Sequence, residues 1–405
     1  MKNPQKKEIL GNTAYTMAGM LLMNGVLQLM VYPLLNRYMG ADSLGGMLYI
    51  MGLVSIVCPS VGQALNTSRL VVRRDYEVSN GDYNLAVLLF GGIGSLVAVI
   101  LSRQYLDSAG AILLTIGLLL LTAFRYYGDV EYRLSLHYKR FFIYYLAISI
   151  GYIGGFGLYR LTDNWYLIFL CGEGLSLLYV GLTGSIFRQF GRRSPYFRLA
   201  LGRGFFLMLS YLVTNGTLNI DRVILKPLLG NVAVTQYYVV SLIGKTMVLF
   251  IAPINTIVIS YLTKREKNVN GREYRKLVGI GALGTLAFFG LAMLASPIFL
   301  RLFYPDLYDS VSSLMLVVNL SQVLGMYSAF LFILVLTFTE EKWQLILQIL
   351  HLGILLAAVL IGTNLGGLAG FSAAVLIANI IRVVIVTAFG AFRLRKQRMQ
   401  KAETE

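Results

Sequence analysis

Two stretches of the sequence decide the fold: PLLNRYMGADSLGGMLYIMG at residues 33–52 and VILKPLLGNVAVTQYYVVSLIG at residues 223–244. Each contains the end of an apolar run, a basic residue, a glycine, a short turn and the start of another apolar run. Gly40 and Gly230 occupy equivalent places in this plan. Matching segments in two halves of a chain indicate an internal repeat. The sequence therefore predicts two similar lobes.

The composition is that of a polytopic membrane protein. Hydrophobic residues make up 57% of the 405 residues and charged residues 13%, whereas a soluble domain carries about 25% charged residues. The amino-terminal MKNPQKKE is basic and is not followed by a small-residue cleavage site, so we expect no removed signal peptide. Cys58 and Cys171 lie in separate apolar runs, which indicates neither a disulfide nor a metal site. His137 and His351 are isolated, and we interpret both as ordinary polar positions; no metal and no cofactor is expected.

Transmembrane helices account for most of the chain, because a helix needs about 20 apolar residues to cross the hydrocarbon core. We predict an all-α polytopic membrane protein of about twelve transmembrane helices, in two six-helix lobes (1–200 and 201–405) around a central cavity. Six is even, so both lobes begin on the same side of the membrane, as in two-lobed transporters. The second span of each lobe contains a proline, Pro59 or Pro253, which bends a helix. The twelve predicted spans are 11–35, 44–64, 84–102, 109–126, 141–159, 164–186, 203–219, 233–261, 277–300, 310–337, 343–362 and 367–392.

The distribution of basic residues predicts the orientation, because cytoplasmic loops are enriched in Lys and Arg. Arg125, at the end of the fourth span, is counted with the cytoplasmic loops, whereas Lys245 and Arg382 lie inside spans. Both termini are therefore expected in the cytoplasm. The net charge of +16 follows from this topology and from attraction to anionic lipids, and no nucleic-acid partner is needed to explain it. Of the 35 basic residues, the loops on the other side contain only Arg37, Arg103, Arg160, Arg222, Lys226 and Arg301.

Lys245 interrupts the apolar eighth span. A charge at the middle of a membrane costs about 2.5–3.5 kcal/mol on insertion scales, and Glu173 and Arg382 carry a similar penalty. Gly244, Lys245 and Thr246 resemble the end of a phosphate-binding P-loop, but that motif requires a glycine where Val239 stands, and a polar loop. The sequence therefore does not indicate a nucleotide site at Lys245.

Polar residues in several spans recur on one helical face. In the eighth span Tyr237, Ser241 and Lys245 share a face. Taken singly, each such residue is equally well explained as a helix–helix contact, and Glu173 as the neutraliser of a basic residue on a neighbouring helix. Taken together, the faces predict a hydrated cavity between the lobes. The other faces comprise Thr16, Asn24, Gln28 and Tyr32; Tyr166, Glu173 and Ser176; Tyr211, Asn215, Asn219, Asp221 and Arg222; Asn319 and Gln322; and Ser372, Asn379 and Arg382.

The charge of this predicted cavity favours an anionic substrate. Its bases outnumber its acids, and a low dielectric strengthens the attraction of a phosphate or pyrophosphate to Lys and Arg. Tyrosine rings and Asn or Gln side chains suit sugars. Glu173 and Asp221 are the candidates for a coupling ion, and no metal ligand is expected. The predicted substrate-binding residues are Lys245, Arg382, Arg222, Lys226, Asn215, Asn219, Asn24 and Gln28.

Two motifs resemble those of the polysaccharide-unit flippases, which export O-antigen or capsule repeat units. Residues 36–40 (NRYMG) with Gly45 resemble the segment after their first span, and residues 219–225 (NIDRVIL) with Gly230 and Tyr237 resemble the segment after their seventh. These flippases belong to the multidrug/oligosaccharidyl-lipid/polysaccharide exporter (MOP) superfamily.

The resemblance implies a protein of the bacterial inner membrane that works by alternating access. Such a flippase moves an undecaprenyl-pyrophosphate-linked oligosaccharide to the outer leaflet for assembly of O-antigen, capsule or exopolysaccharide. Its implied partners are this lipid-linked oligosaccharide, membrane lipids, a polysaccharide polymerase and other assembly proteins.

Three alternatives remain at this point. A multidrug or cation antiporter of the same fold would favour buried acids over buried bases. A polymerase or acyltransferase would need a large outer loop or a histidine base, and the sequence shows neither, so we do not expect an enzyme. A flippase for peptidoglycan precursors would commonly have more than twelve spans.

Overall fold

The computed structural model describes residues 3–247, 270–340 and 342–404, and these residues are α-helical without any strand. Every predicted span overlaps a described helix. The part of the eighth span after Met247, including Pro253, lies outside the described residues. The expected all-α polytopic fold is confirmed for the rest of the chain.

The helices of the amino-terminal part follow the predicted spans closely. The first span also contains a π-helical segment, Val26–Val31, and α5 is a short helix on the cytoplasmic side of the predicted topology. The bounds are α1 Asn3–Gly25, α2 Tyr32–Val72, α3 Asn80–Ser102, α4 Ala109–Gly128, α5 Val130–Leu134, α6 Tyr138–Thr162, α7 Tyr166–Thr183 and α8 Phe197–Leu229.

The carboxyl-terminal part contains the remaining helices, with α11 as a single short turn before a long span. The bounds are α9 Asn231–Thr246, α10 Gly271–Phe303, α11 Tyr308–Val311, α12 Met315–Leu336 and α13 Lys342–Thr404.

Two of these helices contain a break in their helical backbone. α2 is interrupted at Gly40, and α13 is interrupted at Gly366 and Gly367, which gives it a first arm (342–365) and a second arm (368–404). By length and composition, nine described helical stretches are able to span a membrane. The longest two stretches, Gly11–Val72 and Leu345–Gln397, contain these breaks and each cover two predicted spans, so the nine stretches account for eleven spans. α9 corresponds to the twelfth.

The repeated glycines have the same backbone conformation. Gly40 has φ 76° and ψ 167°, and Gly230 has φ 82° and ψ −177°. Only glycine occupies this region without strain. Each residue ends one transmembrane helix and allows the next to begin immediately. The two sequence segments that predict a repeat therefore form equivalent turns.

The π-helical segment in the first span has an identifiable cause. Pro33 follows it, and a proline ring inside a helix clashes with the carbonyl of the residue four positions earlier, here Leu29. The π-helical turn before the proline is wider than an α-helical turn, so it removes this clash while the helix continues. Local π-turns of this kind are often found at functional sites, and Gln28, a predicted binding residue, lies within this one.

The chain divides by its contacts into two compact units, 1–224 and 225–405, and the boundary falls inside α8. In the first unit α6 and α7 pack so closely that a Cβ added to Gly151 would lie 2.5 Å from the Cα of Gly172. In the second unit the two arms of α13 make a similar contact between Gly362 and Gly370. The predicted lobes 1–200 and 201–405 stay a prediction.

Replacing Gly40 or Gly230 by alanine should lower the free energy of unfolding by about 1–3 kcal/mol, because the backbone there is strained for any L-residue. No atom lies within 4 Å of the added Cβ at either site, so the loss would come from the backbone alone. Thermal unfolding of the purified protein in detergent measures the effect. Gly117→Ala in α4 also points into open space but is helical, so this control should be unchanged or more stable. Equal stability of all three variants would show that the backbone at Gly40 and Gly230 does not require glycine.

Candidate functional site: buried charges and polar helix faces

Glu173 lies in a closed ion pair inside the first unit. The Arg125 Nε donates to Glu173 Oε2 at 2.9 Å, and the Tyr152 hydroxyl donates to Oε1 at 3.2 Å. Glu173 is 2% exposed and Arg125 is 4% exposed. Arg125 lies within α4, in agreement with the predicted fourth span (109–126), and faces α7, so it does not belong in the count of cytoplasmic loop residues. Glu173 thus neutralises a base on a neighbouring helix, and its role in ion coupling stays a prediction.

A second buried acid, Asp129, lies directly after the end of α4, on the predicted cytoplasmic side. The carboxylate of Asp129 accepts hydrogen bonds from the Arg133 guanidinium at 3.1 Å, from the Tyr145 hydroxyl at 3.1 Å and from the Asn66 amide. The Tyr144 hydroxyl donates to the backbone carbonyl of Arg125 at 2.8 Å. It therefore lies between the Arg125–Glu173 ion pair and the cluster around Asp129. Sequence analysis missed this cluster because its acid is separated from Asn66 by two helices.

The predicted residues of α8 lie along α2 in the first unit. The Asn215 amide donates to the Ser60 hydroxyl at 3.0 Å, and a Cβ added to Gly52 would lie 3.0 Å from the Cβ of Arg222. Asp221 is 7% exposed. This polar face therefore borders α2, and Asn215 already uses its amide for a contact between helices.

The remaining predicted residues near this boundary make local contacts or lie at the surface of the helix. The Asn219 amide donates to the carbonyl of Asn215 at 3.0 Å, and the Asn24 amide donates to the carbonyl of Met20 at 2.8 Å. Gln28 and Lys226 are half-buried.

In the second unit, Lys245 lies in the last turn of α9 and is half-buried. Its neighbour Gly244 packs on α12, where an added Cβ would lie 2.7 Å from the Cβ of Gln322. The amide of Gln322 donates to the Tyr237 hydroxyl at 3.4 Å. The polar faces predicted in the eighth and tenth spans therefore meet.

Arg382 lies on the second arm of α13, and its guanidinium carbon is 5.9 Å from the ring centroid of Phe332 on α12. Within the described ranges it forms no ion pair. Asn379, one turn away, donates to the carbonyl and the hydroxyl of Ser321 at 3.0 and 3.1 Å. α12 thus packs against both α9, which carries Lys245, and α13, which carries Arg382.

Solved structures with this helix arrangement are transporters. The chain is similar to the inward-facing conformation of a multidrug resistance MATE family transporter of the MOP superfamily, with a TM-score of 0.66 and 15% identity over 96% of each chain. The chain has the fold of the MATE transporters. The outward-facing conformation of such a transporter is also similar, with a TM-score of 0.60 and 18% identity over 96% of each chain.

A third similar structure is the Vibrio cholerae MATE transporter VcmN in the bent form. It has a TM-score of 0.60 and 14% identity, over 97% of this chain and 98% of that chain. No protein-family model and no curated protein matches the chain. The expected fold is thus confirmed, and these matches do not point to the polysaccharide-unit flippases.

Breaking the buried ion pair should destabilise the first unit strongly, since a buried charge without its partner costs about 3–5 kcal/mol. Arg125→Leu and Glu173→Leu should each lower the unfolding midpoint in detergent. The double variant should recover most of the loss, because it leaves no charge behind. Lys139→Leu removes an exposed charge near the same helices and should have little effect. A double variant as unstable as the sum of both single losses would contradict the pairing.

Proposed function

We propose that the protein exports its substrate across the membrane by alternating access. The support is the fold, which matches solved transporters over nearly the whole chain. The names of those structures specify an inward-facing and an outward-facing conformation, which are the two states that alternating access requires. The protein is a multi-pass membrane protein, and in this proposal the substrate passes between its transmembrane helices.

For the substrate, we propose a lipid with an anionic head group, namely a pyrophosphate-linked oligosaccharide on a polyprenyl chain. One observation carries this choice. The five predicted spans of the carboxyl-terminal part contain Lys245 and Arg382 but no Asp and no Glu. In the amino-terminal part, Glu173 is already paired with Arg125. Within these spans the excess of bases over acids favours an anion over a cation, because a base in a low dielectric attracts negative charge.

The second candidate is a multidrug or cation antiporter, and the structural comparisons favour it. The similar structures include a multidrug resistance transporter, and none of those described above is named for polysaccharide export. A cationic substrate would need a carboxylate that it can reach, and the candidate is Asp221 on α8, which belongs to one of the predicted polar faces and is 7% exposed. The fold comparisons thus support this candidate, while the distribution of charge supports the anionic lipid.

In the proposed mechanism, Lys245 and Arg382 hold the pyrophosphate while polar faces such as that of Tyr237 and Gln322 contact the sugars. The prenyl chain stays in the lipid. The driving force is an ion gradient, the membrane potential or removal of the product, and one charge moved through 100 mV gives about 2.3 kcal/mol. Asp221 and Glu173 are the proposed positions for a coupling proton.

Replacing Lys245 or Arg382 by alanine should reduce transport of a lipid-linked oligosaccharide at least tenfold, since about 1.4 kcal/mol of lost binding already corresponds to that factor. Membrane insertion should persist. Purified protein in proteoliposomes, assayed in parallel with a polyprenyl-pyrophosphate glycan and with a lipophilic cation, measures both candidate activities. Arg275→Ala, at an exposed position on α10, is the control and should transport normally. Transport of the cation alone, or full glycan transport by Lys245→Ala, would refute the anionic-lipid proposal.

A further inference from the structure

His351 and Arg382 lie at the same depth on the two arms of α13. The arms form an antiparallel hairpin whose register is fixed by two contacts. Near the turn, Gly362 meets Gly370, and near the other end the rings of Trp343 and Phe389 lie 4.9 Å apart. Between these contacts the same register places His351 opposite Arg382.

The His351 ring is buried without a hydrogen-bond partner for one of its nitrogens. The residue is 4% exposed, and its Nδ1 has no partner in the structure. A buried polar atom without a hydrogen bond costs about 1–3 kcal/mol, so such atoms are rare unless a ligand or water completes them. His351 is also the only histidine within the predicted spans.

Few other charges face this pair. α12, which packs on both arms, contains no Asp, Glu, Lys or Arg, and its only tyrosine, Tyr327, donates its hydroxyl to the carbonyl of Val278 at 2.8 Å. α10 contributes Thr285 and Ser296 but no charge between 277 and 300. Within the predicted spans of this unit Arg382 is therefore the charged side chain nearest in register to His351, and no carboxylate in those spans opposes the two bases.

Other polar atoms without a hydrogen-bond partner among the described residues lie between this pair and one end of the hairpin. Gln348 lies one turn before His351, and its Oε1 has no partner. At the predicted cytoplasmic end, Trp343 Nε1 and Arg393 Nε have no partner either, although the Arg393 guanidinium lies 4.5 Å from the Trp343 ring centroid. Nitrogen donors at this end suit the entry of an anion.

We propose that His351 and Arg382 form a phosphate-binding site, and that His351 takes up a proton when the anionic head group binds beside Arg382. This inference rests on the proposed function and names the site and its coupling. The phosphate oxygens accept hydrogen bonds from the guanidinium and from the protonated ring. When the head group leaves, the ring returns the proton, because a cation beside Arg382 without an anion is unfavourable. Histidine suits this role because its neutral ring can accept a proton and its protonated ring donates hydrogen bonds from both nitrogens.

Coupling of this kind is reciprocal: if the anion favours the protonated ring, protons favour anion binding by the same free energy. Binding should therefore tighten as the pH falls, by at most about tenfold per pH unit for one proton. The proton would enter with the substrate from the predicted cytoplasmic side. Export of the head group would thus carry one negative charge less than the anion alone.

Calorimetry on the purified protein in detergent tests the site with farnesyl pyrophosphate and with inorganic pyrophosphate, from pH 5.5 to 8, in two buffers of different ionisation enthalpy. The wild type should bind more tightly at low pH and take up more protons than His351→Gln, which should bind with a flatter pH profile. The titration of the ligand itself is common to both proteins and cancels in this comparison. Arg382→Gln should lose most binding at every pH. His137→Gln, at an exposed position, should match the wild type.

Each outcome decides a separate point. Binding of farnesyl pyrophosphate alone supports a lipid head group, and binding of both probes supports a site for the phosphate group itself. Identical proton uptake by the wild type and His351→Gln would overturn the role of the histidine, and unchanged binding by Arg382→Gln would overturn the site. Unchanged binding by Arg382→Gln would also remove Arg382 from the mechanism proposed above. Glycan transport by the wild type in proteoliposomes is a separate measurement, so failure of this site is distinguishable from failure of the proposed function.

Discussion

The constraint on which this structure depends is that backbone amides inside a bilayer must find their hydrogen-bond partners within the protein. It requires helices through the whole hydrocarbon layer and leaves no room for a long irregular connection between them. Gly40 and Gly230 meet this requirement in the same way, since φ of 76° and 82° let one helix end and the next begin at a single residue. The π-helical turn before Pro33 meets the same requirement, because the backbone stays helical around a proline, which has no N–H group to donate.

Buried charge is treated differently in the two parts of the chain. In the first unit the acids lie against bases and tyrosine hydroxyls, as in the pair of Arg125 with Glu173 and the bonds that Asp129 accepts. Such pairs lower the penalty of desolvation and hold four helices together. In the carboxyl-terminal spans Lys245 and Arg382 have no acid in the same spans.

The sequence predicted the helices and the repeated turns because both depend on local pattern. The run of apolar residues sets each span, and the shared order of base, glycine and turn identified Gly40 and Gly230 before their conformation was known. Contacts between helices are harder to predict from the sequence. The pairing of Arg125 cannot be read from the sequence, because its partner, Glu173, lies 48 residues away and the facing of α4 towards α7 has no local signal. His351 was considered isolated for the same reason, although the register of a hairpin with its turn at Gly366 and Gly367 would have placed it opposite Arg382.

The matching turns at Gly40 and Gly230 also bear on how such a chain could arise. A unit with an even number of crossings starts and finishes on one face of the membrane, so a second copy appended to it inserts in the same sense as the first. Gene duplication and fusion could then produce the longer protein in one step, without any change in the charges that direct insertion. A unit with an odd number of crossings would have needed an extra helix or a reversed charge bias before its copies could be joined.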